Sequence, residues 1–236
     1  MASPSSFFIP AINGSKGTHT RPFIRSIPVV IILLTAFTST APDDGRWKKA
    51  RERDGITIHT RDVDSARVKE VRTTTRFNTS PSLLAFIIAD VENRSRWFKQ
   101  CESVKVIEEL GPGHFIYRMM IDAPFPASDR DLVQEMKISQ DPDSRIVTII
   151  LKARPDFLPQ DEDYKRVPVG DGKWTISPNS GNYVDIIFTY LNDPGHGIPA
   201  GVVNLMITES PFQTMQHIKN DIESHTYTHG FDWIVD

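Results

Sequence analysis

The most regular hydrophobic pattern in this chain lies between residues 115 and 138, where apolar and polar positions alternate. A period of two is typical of a strand with one buried and one exposed face. Pro124 and Pro126 divide the stretch, and proline cannot donate a ladder hydrogen bond. The pattern therefore predicts two antiparallel strands joined by a sharp turn. Their apolar face is formed by Phe115, Tyr117, Met119, Ile121, Leu132, Met136 and Ile138.

Patterns on either side of this unit predict further strands and helices. Strands are expected at residues 56–61 and 68–77, which would form a hairpin, and at 103–109, 146–153, 165–169, 172–176 and 183–191. The strand at 146–153 is nearly apolar on both faces, which predicts a central place in the sheet. Helices are expected at 43–53, from Pro81 after the capping residue Ser80, at 91–100, and from Ala200 onward, with a kink or break at Pro211.

This order of elements predicts an α+β fold in which a curved antiparallel sheet wraps around a long C-terminal helix. A sheet that curls around a helix leaves a space between the two. The faces expected to line that space are rich in Met, Phe, Tyr, Ile and Val. An internal hydrophobic cavity of this kind would suit an apolar ligand.

The first 41 residues differ in composition from the rest of the chain. They contain three basic residues and no acid, followed by an apolar run at 27–41. Fifteen residues suit the core of a signal peptide better than a membrane span, which needs about 20. We expect residues 1–41 to be a signal peptide or, alternatively, an N-terminal hydrophobic anchor, and residues 42–236 to be one domain. The protein is then exported, to a bacterial periplasm, or is membrane-anchored if the segment is not cleaved.

Charge and cysteine content exclude several classes of function. The chain has 27 basic and 30 acidic residues, and three of the basic ones lie in the first 41 residues, so the remainder is acidic. An acidic domain disfavours nucleic-acid binding. A single cysteine, Cys101, excludes an intramolecular disulfide and a cysteine zinc cluster. No cofactor is expected.

Several motifs resemble the START lipid-transfer family of helix-grip proteins. They are DGITIHTR, VKEVR, DVENRSRW, IDAPFPASDRDLV, GKWTISP and YLNDPGHGIPAGVVN, and the resemblance covers about residues 45–225. The resemblance implies a single cavity beneath a C-terminal helix that acts as a lid. That cavity would hold a sterol, phospholipid or other apolar molecule without covalent chemistry. Many family members have a second arginine six positions after the counterpart of Arg130, where this chain has Met136.

Ten residues are predicted to contact the ligand. They are Trp97, Tyr117, Met119, Arg130, Leu132, Met136, Phe188, Tyr190, Ile198 and Met206. Each has an alternative role: the apolar residues as ordinary core, and Arg130 as a structural arginine that ties a turn to neighbouring carbonyls and acids. The glycine-rich loop at 195–199 is either a hinge for the lid or an ordinary connection.

A non-enzymatic binder of an apolar small molecule or lipid is the leading hypothesis. It would be monomeric and make transient contact with membranes. The first alternative is a helix-grip enzyme, such as a cyclase or hydrolase, using an acid among Asp122, Asp129, Asp131 and Glu135 or the histidine His196. The second is a protein-interaction module held at the membrane surface. Common catalytic motifs are missing from the sequence, and His225 and His229 have metal-ligand spacing but no evident third ligand.

Overall fold

The computed structural model describes residues 46–236 except 65, 97, 99, 124 and 126. Ten strands and three helices follow in chain order, with a short 3-10 turn at Arg94–Arg96. The strands are β1 Lys48–Arg53, β2 Ile56–Arg61, β3 Glu70–Asn78, β4 Cys101–Gly111, β5 His114–Ile121, β6 Arg130–Gln140, β7 Val147–Ala153, β8 Lys165–Arg166, β9 Val169–Asn179 and β10 Tyr183–Asp193. The helices are α1 Pro81–Ala89, α2 Ala200–Met206 and α3 Glu209–Glu223. None of these helices is long and apolar enough to span a membrane.

All ten strands belong to one sheet. Their order is β1-β2-β3-β10-β9-β7-β6-β5-β4, every neighbouring pair on this path is antiparallel, and β8 adds a short parallel pairing to β6. The predicted curved α+β architecture and the hairpin of β2 and β3 are confirmed. Strand β7 is central, as predicted, but Ile150 on its outer face is 41% exposed, so only one face of β7 is buried.

Helices α1 and α3 cover the apolar inner face of the sheet. Helix α1 begins after Ser80, whose side chain accepts a hydrogen bond from the backbone N–H of Leu83, as predicted for an N-cap. Helix α3 buries Phe212, Met215 and Ile218 in the common core. The long helix predicted from Ala200 onward is broken into α2 and α3, as predicted. Pro211 lies in the first turn of α3, where proline is tolerated.

Two predicted helices are wrong. The described part of 43–53 forms strand β1, which pairs with β2 through its backbone. Its charges suit a helix dipole, but the free edge of the sheet offers backbone partners that a lone short helix does not have. The segment 91–100 contains a single 3-10 turn instead of a helix of two or three turns.

The segment after α3 packs against α1, the helix that covers the centre of the sheet. The Phe86 ring of α1 makes edge-to-face contacts with Tyr227 and Phe231, at centroid distances of 6.0 and 5.3 Å. The backbone N–H and hydroxyl of Ser82 donate to the carboxylate of Asp236, at 2.9 and 2.8 Å. Residues 224–236, the tail, therefore cover the side of α1 that faces away from the sheet.

Gly230 allows the tail to approach α1 closely. A Cβ atom at this position would lie 2.5 Å from the backbone carbon of Ser82. We expect Gly230→Ala to lower the free energy of unfolding by about 1–3 kcal/mol, because the tail or α1 must move. Urea denaturation followed by circular dichroism measures the change.

Gly201→Ala is the control, since a Cβ atom at Gly201 in α2 would have no neighbour within 4 Å. This substitution should be neutral or slightly stabilising, as alanine is a better helix former than glycine. Equal stability of Gly230→Ala and the wild type would show that the tail does not need this close contact.

Candidate ligand-binding site

Five of the predicted ligand-contacting residues come together on the inner face of the sheet. Strands β5 and β6 place Tyr117 opposite Gln134 and Met119 opposite Leu132, and Met136 follows on the same face. The side chains of Tyr117, Met119, Leu132 and Met136 are 0–5% exposed. Phe188, on β10, is 7% exposed and stacks on Trp174 of β9 at a centroid distance of 4.0 Å. With β7, which lies between β6 and β9, these strands form a continuous apolar floor beneath the helices.

Three other predicted residues are less buried than these five. Tyr190 and Ile198 are half-buried, and Met206 on α2 is 43% exposed. The side chain of Tyr190 stacks against Phe188 at 5.6 Å. Trp97 lies outside the described residues. Ligand contact by the ten residues stays a prediction.

One buried amide links two tyrosines within the apolar floor. The Tyr117 hydroxyl donates to Gln134 Oε1, while Gln134 Nε2 donates to the carbonyl of Gly170 and, at 3.4 Å, to the hydroxyl of Tyr190. Gln134 and Tyr117 are both 0% exposed. Buried polar groups need such partners, because an unsatisfied one costs about 1–3 kcal/mol. We call Tyr117, Gln134 and Tyr190 the floor network.

Both tyrosines of the floor network are neutral. Burial raises the pKa of Tyr117 and that of Tyr190 above the ordinary value of a phenol. Each hydroxyl therefore keeps its proton and can act as a hydrogen-bond donor across the physiological pH range.

Two glycines of β9 make room for the Tyr190 ring. A Cβ atom at Gly172 would lie 2.6 Å from Cδ2 of Tyr190, and one at Gly170 would lie 3.2 Å from its hydroxyl oxygen and 2.9 Å from Leu132 Cδ1. The ring thus lies over backbone that carries no side chain. This arrangement fixes the position of the hydroxyl.

Arg94 brings a positive charge to the same region. It is 9% exposed, and its guanidinium carbon lies 5.3 Å from the centre of the Tyr117 ring. A cation over an aromatic face is attracted by the ring. The charge of Arg94 also opposes the effect of burial on the pKa values of Tyr117 and Tyr190.

The sequence analysis missed Gln134 and Arg94 as candidate site residues. Gln134 has a signal, since it shares the inner-face parity of Leu132 and Met136. No local sequence pattern predicts that Arg94 belongs to the site, because the position of its side chain depends on where the 3-10 turn packs relative to Tyr117 of β5.

Arg130 binds backbone carbonyls. Its guanidinium donates to the carbonyls of Ser128, of Pro194 at 3.3 Å and of His196 at 3.0 Å, and the residue is 3% exposed. Burial lowers the pKa of Arg130 below the ordinary arginine value. These are the contacts expected of the structural alternative stated above, and they join the β5–β6 loop to the loop before α2.

Arg67 holds the same loop from the other side. It pairs with Asp193 at 2.6 Å and donates to the carbonyls of Gly195 and, at 2.9 Å, of Ile198. The loop before α2 is therefore fixed by two guanidinium groups. Helix α2, which follows this loop, exposes two apolar side chains: Val202 and Met206 are 42% and 43% exposed.

The predicted acid cluster does not face the floor. Asp122 and Asp129 are exposed, and Asp131 and Glu135 alternate with the inner-face residues of β6. Asp131 pairs with Arg118 and Arg166, both at 2.9 Å.

Glu135 likewise faces away from the floor network, and the predicted histidines are exposed. His114 lies 2.7 Å from Glu135, and this hydrogen bond lowers the pKa of that carboxyl. His196 is exposed, as are His225 and His229 in the tail. Within the described residues, no group of three or more His, Cys, Asp or Glu side chains could hold a metal ion.

A surface groove of about 480 Å³ lies between the β1–β2 turn and α3. Its lining residues are polar or charged apart from Ile56. This groove is not the apolar site that the sequence predicts.

Comparisons with known proteins match most of the chain. The family model of the START domain matches residues 36–228. An uncharacterized protein of Pseudomonas aeruginosa is 24% identical over 177 residues, which cover 75% of this chain and 87% of that protein.

Solved structures show the same fold. A STAR-related lipid transfer protein from Xanthomonas axonopodis has a TM-score of 0.69 at 24% identity, with 75% of this chain and 99% of that one covered. Human StAR-related lipid transfer protein 5 has a TM-score of 0.68 at 14% identity, with 78% and 90% covered. Human STARD10 has a TM-score of 0.64 at 16% identity, with 79% and 84% covered.

Proposed function

This chain belongs to the START domain family, as its motifs predicted, and we propose that it binds a lipid or another apolar molecule without covalent chemistry. The ligand lies between the inner face of the sheet and the helices that cover it. The observation that carries this proposal is the apolar floor of β5, β6, β9 and β10, which contains a single small hydrogen-bonded network.

The apolar floor supplies the driving force for binding. Removing apolar surface from water stabilises a complex by about 25 cal/mol per Å². Two of the structural relatives, one from Xanthomonas axonopodis and one human, are named as lipid transfer proteins. A few polar groups on such a floor orient a ligand but do not drive its binding.

The placement of charged groups favours binding over catalysis. Asp131 and Glu135 are paired with basic side chains on strand positions that face away from the floor. A general acid or base must reach its substrate within hydrogen-bond distance. Among the acids considered above, none supports the enzyme alternative by its position.

Membrane contact would occur at the end of the sheet where α2 begins. Phe125, in the β5–β6 loop, is 98% exposed. This loop lies beside the loop before α2, because Arg130 joins the two through Ser128 and His196. Together with Val202 and Met206 on α2, Phe125 offers apolar groups that a bilayer would cover. We propose that the protein takes up and releases its ligand there.

Native mass spectrometry of the full-length gene product, purified from the cell that makes it, tests the proposed function. We expect a stoichiometric bound molecule that organic extraction identifies as a lipid or another apolar compound. Met206→Asp should reduce loading about tenfold or more, because closure of α2 would bring a carboxylate towards an apolar ligand.

Leu110→Asp is the matched control, since Leu110 is also 43% exposed but lies on edge strand β4. An empty protein that stays empty after incubation with mixed lipids would refute the proposed function. The same spectrum tests export, which we propose from the N-terminal sequence. A mass that matches a polypeptide starting near residue 42 would support cleavage of the N-terminal segment, and the mass of the full chain would contradict it.

Phe125→Ala tests the membrane contact. Burial of a phenylalanine side chain contributes about 1.5–3 kcal/mol, so we expect vesicle binding to weaken about tenfold or more. Ligand affinity and stability should not change, because the ring is exposed. Co-sedimentation with vesicles of phosphatidylcholine and phosphatidylglycerol measures the effect.

Tyr183→Ala provides the control for this comparison. Tyr183 is 42% exposed and begins β10, at the end of that strand opposite the loop before α2. The proposed contact is wrong if Phe125→Ala and Tyr183→Ala bind vesicles equally well.

A further inference from the structure

The floor network ends in a hydroxyl proton that has no acceptor in the described part of the chain. Gly170 accepts a hydrogen bond from one end of the Gln134 side chain, which identifies that end as the NH₂ group. The opposite end is then the carbonyl oxygen, and it accepts the Tyr117 proton. Gln134 also donates to Tyr190, whose own proton is left over.

A second hydroxyl on the same floor also lacks a partner. Thr73 is 0% exposed, and its Oγ1 atom makes no hydrogen bond within the described residues. Thr73 lies opposite Phe188, while Tyr190 lies opposite Val71, so the two hydroxyl residues are diagonal neighbours on adjacent strands. The Tyr190 ring, however, extends over β9 towards Gln134 of β6, so its hydroxyl points away from β3 and Thr73.

Tyr190 lies near the end of β10 that leads, through the following loop, into α2. The backbone N–H of Lys69, just before β3, donates to Asn204 Oδ1 of α2 at 3.1 Å. Val71, the partner of Tyr190, is two residues further along the chain. The half-buried ring of Tyr190 is thus at the end of the floor that a ligand entering beside α2 would reach.

We propose that the Tyr190 hydroxyl selects ligands that carry an acceptor oxygen at one end of an apolar body. The proposal rests on the proposed function and adds the class of ligand. A carboxylate, carbonyl or hydroxyl oxygen would accept the Tyr190 proton. The positive charge of Arg94, next to Tyr117, further favours an electron-rich group.

Matched ligands with and without the oxygen test this selection. Hexadecanoate, hexadecanol and hexadecane share one chain, and cholestanol and cholestane share one rigid skeleton. Each is delivered from cyclodextrin to the full-length protein, and displacement of a fluorescent lipid gives its affinity. The comparison of Tyr190→Phe with the wild type for each ligand forms a double-mutant cycle.

We expect Tyr190→Phe to weaken the binding of oxygen-bearing ligands and to leave hexadecane and cholestane unchanged. The loss should be about 3- to 10-fold for a neutral oxygen and about tenfold or more for hexadecanoate. A loss confined to hexadecanoate would assign a carboxylate ligand, and a loss for every oxygen-bearing probe would assign a neutral acceptor. Either result supports the inference.

Gly172→Ala is a second variant that keeps the Tyr190 hydroxyl but displaces its ring, since the added Cβ atom would lie 2.6 Å from Cδ2. It should cause the same selective loss. Tyr183→Phe, at the far end of β10, should cause none.

If Tyr190→Phe loses as much affinity for the hydrocarbons as for the oxygen-bearing probes, the inference is overturned but the proposed function stays in place. No loss for any probe would do the same. If the wild type binds none of the five probes and also carries no lipid from the cell, the proposed function itself fails, and the inference fails with it.

Discussion

Burial of one apolar face is the constraint on which this structure depends. A ten-stranded antiparallel sheet cannot leave its inner face in water, and two helices, α1 and α3, provide most of its cover. Helix α1 is itself apolar on most sides, so it needs cover of its own. The tail supplies that cover through Tyr227, Phe231 and the carboxylate of Asp236. The cover over the sheet thus depends on residues that follow the last helix.

The same constraint explains why polar groups on the floor are few and connected. Each buried polar atom must find a partner or lose free energy. Gln134 meets this requirement by bonding Tyr117, Tyr190 and the Gly170 carbonyl together. Within the part of the chain that the structure describes, the Tyr190 hydroxyl has no acceptor, and a ligand oxygen would provide one.

The acids of β6 are separated from the floor by the alternation of the strand. Strand β6 carries Leu132, Gln134 and Met136 on one face and Asp131 and Glu135 on the other. The acids are neutralised by arginines on the outer face, where they hold loops in place. Arginine serves the same purpose at the entrance, where Arg67 and Arg130 bind successive carbonyls of one loop. The two guanidinium groups thus hold the loop that leads into α2, at the end of the sheet where we propose that the ligand enters.

Local pattern was sufficient for much of the fold. Alternation placed Tyr117, Met119, Leu132 and Met136 on one face, and the helix start at Ser80 followed from its side-chain chemistry. These features depend on neighbours in the sequence, and the period of two in a strand is fixed by backbone geometry. The order of such elements, with the family motifs, was enough to predict the α+β architecture.

Contacts between distant segments decided the rest. Strand β1 formed in place of a helix because the edge of β2 was available, and Arg94 reached Tyr117 from a turn whose position no local pattern specifies. The carbonyls bound by Arg130 come from a loop more than sixty residues away. The sequence by itself determined which residues share a face. Only the tertiary structure decided which faces, loops and charges meet, because that depends on sheet topology and on packing across the whole chain.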